Sequence, residues 1–290
     1  MWKHSSASGG VYLLDKAAGI TSRKAARAVA EANGFRKYGH CGTLDPDATG
    51  LLVVILGRAT RLASYISGST KRYSFDLVTG VSTDTLDMSG RVLEEVDSSH
   101  LSSSDVVKAL ADFTGTFLQR VPIFSAVRVG GSRGYKLARQ GEAPDMPERT
   151  VTAGNWEHGM LEAGRITLEV TVSQGTYVRA LARDIGSALG ICAVADNIRR
   201  TVAGLFSVAE ASTSTDSEQA LLSMAEAMRG YPGKVVSDYV AQGIAHGNPF
   251  PWKVEGTATA LNSRGELLAV GVGDGAVFQP RVVLTNEVSR

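Results

Sequence analysis

The sequence predicts a mixed α and β protein that ends in a small β-rich domain, and three observations carry that prediction. Ile166, Leu168, Val170 and Val172 place apolar residues at every second position, the period of a strand with one face covered. Other stretches carry helix start and stop signals, such as Thr21 or Ser22 ahead of Arg23–Asn33 and Gly34 behind it. From Tyr231 the chain turns Gly- and Val-rich, with short alternating segments.

Taken in order, Val11–Leu14 reads as a short strand ending at Asp15-Lys16, followed by the Arg23–Asn33 helix. The run from Gly39 to Leu52 then puts Asp45 in a turn just before an apolar strand, Leu51–Leu56. Pro46 fixes its own φ and pushes Asp45 out of helical space. Gly42 and Gly50 allow tight turns and are expected to let the backbone approach another molecule closely. Tyr73, Phe75, Leu77 and Thr79 mark another strand, and Gly80–Gly90 is polar and turn-rich. Ser102 and Asp105 form a capping-box start for a helix through Phe113, stopped by Gly115.

Pro122–Arg149 mixes prolines, glycines and scattered bases with little periodicity, which predicts a long surface excursion. Gly175–Val178 lead into a helix ending near Gly190, and Thr215–Glu218 open one through Met228. In the tail, Thr257–Leu261 and Leu267–Val272 are separated by the turn Asn262-Ser263-Arg264-Gly265. The expected division is residues 1–230 and 231–290.

The chain has 290 residues, 43% of them hydrophobic, enough for a sizeable core. Its formal net charge of +1 gives no overall field for nucleic acid, so any such contact must come from local clusters. Cys41 and Cys192 have neither metal-ligand spacing nor a disulfide framework. Met1–Gly10 lacks the apolar core of a signal peptide, and no run of about 18 apolar residues offers a membrane span. A cytoplasmic, membrane-free protein is expected. The sequence has no His-Glu-x-x-His pair, no phosphate-cradling Gly-rich loop before Lys-Ser or Lys-Thr, and no Gly-x-Ser-x-Gly elbow. Chemistry without a metal or cofactor is therefore the expectation.

The run Gly39-His40-Cys41-Gly42-Thr43-Leu44-Asp45-Pro46-Asp47-Ala48-Thr49-Gly50-Leu51-Leu52 resembles the active-site loop of the TruB family of tRNA pseudouridine synthases. Further segments match that family in order: Val11–Lys16 with Gly19-Ile20-Thr21-Ser22, Lys71-Arg72-Tyr73, and Ser173–Arg179. Ala17 stands where the family usually has proline. Ser125-Ala126-Val127 and Tyr135–Gly141 are similar to its RNA-gripping insertion, at about residues 122–149. The tail resembles, in pattern only, a divergent PUA-like RNA-binding domain.

The resemblance implies an α+β fold: a mixed, largely antiparallel bent central sheet with flanking helices, plus the small β-rich C-terminal domain. It implies conversion of the T-loop uridine, tRNA position 55, to pseudouridine without a cofactor. Asp45 would act as nucleophile or as base at the sugar, and the sequence leaves that choice open. Arg179 would pair with Asp45; read without the family, it is equally a surface arginine at a helix start. Tyr73 would stack on the base and help remove the C5 proton, with Tyr177 and Ile198 as further contacts. His40 would fill the space left when the base flips out of its stack.

Phosphate contacts would come from Lys16, Arg36-Lys37, Lys71-Arg72, Arg128, Arg133, Lys136, Arg139 and Arg199-Arg200. Acids between Asp84 and Asp112 would sit away from the RNA. The expected partner is the T-stem-loop of tRNA, bound by a monomer with no protein partner. Two other readings stay open. One is an RNA-binding or folding module without chemistry. The other is a glycosidic hydrolase, which normally needs a second carboxylate opposite the first; Asp47 is too close in sequence to serve.

Overall fold

The computed structural model describes residues 9–284 except Ser69 and Ala143, with backbone alone for Arg133, Tyr135, Lys136 and Arg139. One ten-stranded sheet organises the larger part of the chain. From one edge its order is Leu221–Leu222, Gly9–Lys16, Thr49–Gly57, Ala193–Ala203, Thr70–Thr79, Arg165–Ser173, Glu148–His158 and Gly115–Arg120. Tyr38–Cys41 pairs with Thr49–Gly57, and Phe206–Ser207 with Ala193–Ala203. Among the described residues these strands pair antiparallel except at one place, where Arg199-Arg200 run parallel to Thr49-Gly50.

The Ala193–Ala203 strand slips register against Thr70–Thr79 twice, between Asp196 and Arg199 and between Arg200 and Val202. Bulges bend a strand and re-aim its side chains. Here the first takes in Ile198, and the two together bracket Arg199 and Arg200.

The apolar run of Thr49–Gly57 is unbroken because both of its faces are covered. Leu52, Val54 and Leu56 enter one core with Ala26 and Val29 of helix Ser22–Ala32 and Leu181 and Ile185 of helix Val178–Ala188. Leu51, Val53 and Ile55 enter another, shared with Leu267, Val270 and Leu284 of the tail. On Thr70–Thr79 the alternation is strict: Lys71, Tyr73, Phe75, Leu77 and Thr79 are buried, and the residues between them are half-buried.

Thr21 caps the first helix by accepting from the Lys24 amide. Ser102 and Asp105 form a reciprocal capping box for helix Ser103–Leu110, which tightens into a 3₁₀ turn at Ala111–Phe113. Two sequence expectations need correction. Residues 122–149 carry structure of their own: a hairpin, Arg128–Val129 with Ser132–Arg133, and a helix, Gly134–Arg139, before the strand that starts at Glu148. The expected helix from Thr215 to Met228 is broken into a 3₁₀ turn, Glu218–Ala220, an edge strand and a single turn, Met224–Ala227. Leu221 and Leu222 extend the sheet beside Tyr12 and Val11, and Ser223 restarts the helix with its own capping box.

The tail forms a five-stranded sheet in the order Gly233–Val235, Glu255–Leu261, Leu267–Asp274, Val277–Val283, Phe250–Pro251. Helix Asp238–Ala245 adds Val240, Ala241 and Ile244 to its core with Phe250, Ala258, Ala260 and Phe278. Arg58 and Arg61 donate across the junction to the carbonyls of Leu284 (2.9 Å) and Val283 (2.5 Å). The Tyr231 hydroxyl donates to the Tyr65 carbonyl at 3.0 Å. Among the described residues no helix is long and apolar enough to cross a membrane.

Candidate active site

A cavity of about 290 Å³ opens where the Asp45 loop, the Thr70–Thr79 strand, residues 125–126, the start of helix Val178–Ala188 and the bulged Ala193–Ala203 strand converge. Asp45, Tyr73, Tyr177, Arg179 and Ile198 all line it, with Lys71, Ser125 and Arg200.

The Asp45 loop is pinned on both sides of its acid. Before it, the Ser22 hydroxyl donates to the Leu44 carbonyl and accepts from the Leu44 amide, both at 2.8 Å. After it, the Lys16 ammonium donates to the Pro46 carbonyl at 2.8 Å, and also to those of Ala17 (2.8 Å) and Ile20 (2.9 Å). Burial holds the Lys16 pKa below the ordinary lysine value, with Asp47 and Asp45 opposing the shift. Gly50, at φ +94°, lets the loop rejoin the sheet: a Cβ there would stand 2.3 Å from the Arg200 carbonyl oxygen. The close approach that Gly50 permits is thus to the protein's own backbone, where the sequence suggested another molecule.

Arg179 is 4% exposed, the opposite of a surface arginine. Its Nε donates to Asp45 Oδ2 at 2.9 Å, its Nη1 to the Thr85 carbonyl at 2.7 Å and its Nη2 to the Phe124 carbonyl at 2.9 Å. Asp87 Oδ2 lies 3.5 Å from the same Nε. A guanidinium at a helix start meets an unfavourable dipole; two carboxylates and two carbonyls offset it here. The Asp45 side chain keeps 43% of its surface open, so one oxygen is held and the rest of the carboxylate faces the cavity.

Tyr73 is buried on its strand, flanked across the sheet by Val170 and Arg200. Tyr177 stands at the N-cap position, and Gln119, itself 1% exposed, takes the Tyr177 amide (2.9 Å) and donates to the Tyr177 carbonyl (3.2 Å). His40, on Tyr38–Cys41, is half-buried and not among the residues lining the cavity. Burial, reinforced by Arg200, lowers its pKa. Burial also raises the Cys41 thiol to about 11, against the pull of Lys71 and Arg200.

The expected phosphate contacts divide. Lys16 and Arg200 are wholly buried, Lys16 spent on three carbonyls and Arg200 donating to the carbonyls of Leu51 (2.8 Å) and Gly42 (3.1 Å), so neither presents its charge to a backbone outside. Arg199 grips Asp15 with two hydrogen bonds, at 2.9 and 2.7 Å. Arg72 is paired with Glu157 and Glu169. Arg36, Lys37 and Arg128 are exposed. The side chains of Arg133, Lys136 and Arg139 lie outside the described residues.

Sequence reasoning missed Asp87, Ser125 and Gln119. The sequence expects the acids between Asp84 and Asp112 to sit away from the RNA, yet Asp87 folds back onto Arg179, a residue lining the cavity. The signal present was the Thr-Asp-Thr-x-Asp cluster at 83–87 with Ser89 after it, whose hydroxyls hold Asp87: Thr85 Oγ1 donates at 2.7 Å and Ser89 Oγ at 2.6 Å.

The profile of the TruB family pseudouridylate synthase (N terminal domain) matches residues 30–178. The tRNA pseudouridine synthase B of Symbiobacterium thermophilum is 41% identical over 244 residues, covering 82% of each chain. That of Mycobacteroides abscessus is 34% identical over 285 residues, 95% of this chain and 96% of its own. Among solved structures, a chain of an H/ACA RNP bound to a substrate RNA containing 2′-deoxyuridine superposes with a TM-score of 0.69 at 21% identity, over 96% of this chain and 85% of that one. A chain of a Cbf5-Nop10-Gar1 complex gives 0.69 at 23%, over 95% and 85%. These two likenesses speak for the fold; the profile and the sequence relatives go further, and by them this chain belongs to the TruB family of pseudouridylate synthases, enzymes that isomerise uridine in RNA.

Proposed function

We propose that this enzyme converts the T-loop uridine of tRNA to pseudouridine, using Asp45 after the uridine has been flipped out of its stack. The observation that carries the reading is the Asp45 carboxylate: fixed through one oxygen by the buried Arg179, and open to a cavity lined by Tyr73, Tyr177 and Ile198. The reaction breaks the N1–C1′ bond and joins C1′ to C5. A carboxylate aimed at the sugar serves as nucleophile at C1′ or as base at the neighbouring carbon.

Tyr73 gives the base an aromatic face and helps take the C5 proton, while Ile198 supplies an apolar contact. His40, one strand away, fills the vacated stack, since flipping costs a few kcal/mol and the opened RNA must be held. Arg36, Lys37 and Arg128, all exposed, meet phosphates. Residues 231–290 act as a PUA-like RNA-binding module. The T-stem-loop is recognised chiefly by shape.

The test is tritium release from tRNA labelled at uridine C5, comparing wild type with Asp45→Asn. Release by wild type alone, with both proteins binding tRNA equally, is expected. An active Asp45→Asn protein overturns the mechanism, and failure of wild type to release tritium overturns the reading.

A further inference from the structure

Lys71 and Arg200 form a buried cationic pair without a counter-ion. Both line the Asp45 cavity, Lys71 at 7% exposure and Arg200 at 0%. Among the described residues no carboxylate lies within 4.0 Å of either charge, although Arg72, Arg179 and Arg199 are all paired with acids. Arg200 spends Nε and Nη2 on carbonyls, but its buried Nη1 has no acceptor. That Nη1 and Lys71 Cε face one point: a Cβ built on Gly42 would lie 3.2 Å from each. The glycine keeps that space clear. A second buried polar atom without a partner, Ser125 Oγ, belongs to another residue lining the same cavity.

Buried cations and donors left unmatched are costly in a resting protein, and the cost falls when an anion or acceptor arrives. We infer that Lys71, backed by Arg200, receives a carbonyl oxygen of the uracil ring and bears the negative charge the ring gains as its glycosidic bond breaks. This rests on the isomerase reading above.

Depth favours the base over a phosphate, because a flipped nucleotide sends its base inward and leaves its backbone at the mouth. Lys71 also shares the inward row of Tyr73, two residues along the same strand face. As N1–C1′ breaks, the bonding pair stays with the ring, spread over N1, O2 and O4. When C5 bonds to C1′, that charge returns to the Asp45 carboxylate; C5 then loses its proton and N1 takes one up. Lys71 is needed only while the ring is anionic, which makes it a catalytic residue with little part in ground-state binding.

The experiment uses Lys71→Met, which keeps the unbranched stem, on two synthetic T-stem-loops carrying uridine or 5-fluorouridine at the target. Single-turnover loss of the target nucleoside is followed by chromatography of digests, beside wild type and Asp45→Asn. Fluorine makes the ring a better carrier of negative charge, so it needs less help. On uridine the expected loss is about 10²-fold, the effect of removing one oxyanion donor. On 5-fluorouridine the loss should be at least fivefold smaller, with affinity and its salt dependence unchanged. Misfolding of a fraction of the variant lowers both rates alike and leaves their ratio at one, so equal losses overturn the inference. Weaker binding with a salt slope reduced by about one unit also overturns it, in favour of a phosphate contact. A wild type that converts neither RNA, by contrast, sinks the isomerase reading itself.

Discussion

Lys16 donates to the carbonyl of Pro46, residues 30 apart in sequence, and so fixes the chain one step beyond Asp45. The first strand of the sheet therefore sets the position of the acid through a side chain wholly withdrawn from solvent. Lys16→Met leaves the carbonyls of Ala17, Ile20 and Pro46 without their charged donor. The expected loss of stability is at least about 2 kcal/mol: three hydrogen bonds to a charged group, worth about 1.5–3 kcal/mol each, are lost, offset in part because no ammonium is then buried. Turnover should fall more than tRNA affinity. Urea unfolding and single-turnover assays on the same preparation check both.

Gly50 and Gly115 both hold positive φ, +94° and +90°, but only Gly50 has a neighbour in the way. Gly115→Ala should cost only the left-handed backbone penalty, about 1–2 kcal/mol. Gly50→Ala must in addition displace the Arg200 backbone, and with it the parallel contact beside Ile198. Its midpoint in urea should drop clearly further, and activity with it. Equal midpoints would show that the sheet yields there.

Asp87→Asn keeps the shape that Thr85 and Ser89 hold but removes the second negative charge facing Arg179. The guanidinium then answers to Asp45 alone and shifts the carboxylate it aims. The expected result is a fall in kcat of about tenfold or more, equivalent to ~1.4 kcal/mol in the barrier, with KM within twofold. An unchanged kcat would make Asp87 a bystander.

His40 is held below the ordinary histidine pKa by burial and by Arg200. The sign follows from linkage: below about pH 6.5 the unfolded chain binds a proton that the folded chain refuses, so stability falls with pH. The fall starts near the unfolded pKa and ends once pH passes the lowered folded value. His40→Gln removes this contribution. Unfolding free energies at pH 7.5 and 5.5 should therefore differ less in the variant than in wild type; an equal or larger difference would contradict the assignment.

Local signals were legible in the sequence wherever the physics is local. Thr21, Ser102 and Asp105 cap the helices their side chains suggest, and the alternation of Tyr73 to Thr79 matches buried positions. The Leu51–Leu56 run was readable as a strand, though which core each residue enters depends on a tail more than 200 residues away. The Thr215–Met228 stretch failed because two leucines gain more by extending the sheet than by continuing a helix. The roles of Lys16 and Arg200 were misjudged for one reason. A basic side chain reads as solvent-facing, and nothing short-range announces that carbonyls will receive it indoors. Asp87 was missed because its partner is Arg179, and a fold must close before the two can meet.

The side chains and carbonyls that hold Asp45 and Arg179 come from Lys16, Ser22, Thr85, Asp87 and Phe124, spread over more than 100 residues of sequence. Assembly order follows from that spread. A nascent chain that has not yet delivered Arg179 owns an acid with no guanidinium to aim it, and contacts of such long sequence separation close slowly. The loop of Asp45 is made early in synthesis and gains its guanidinium late, so under the proposed mechanism incompletely folded chains should meet RNA without being able to alter it.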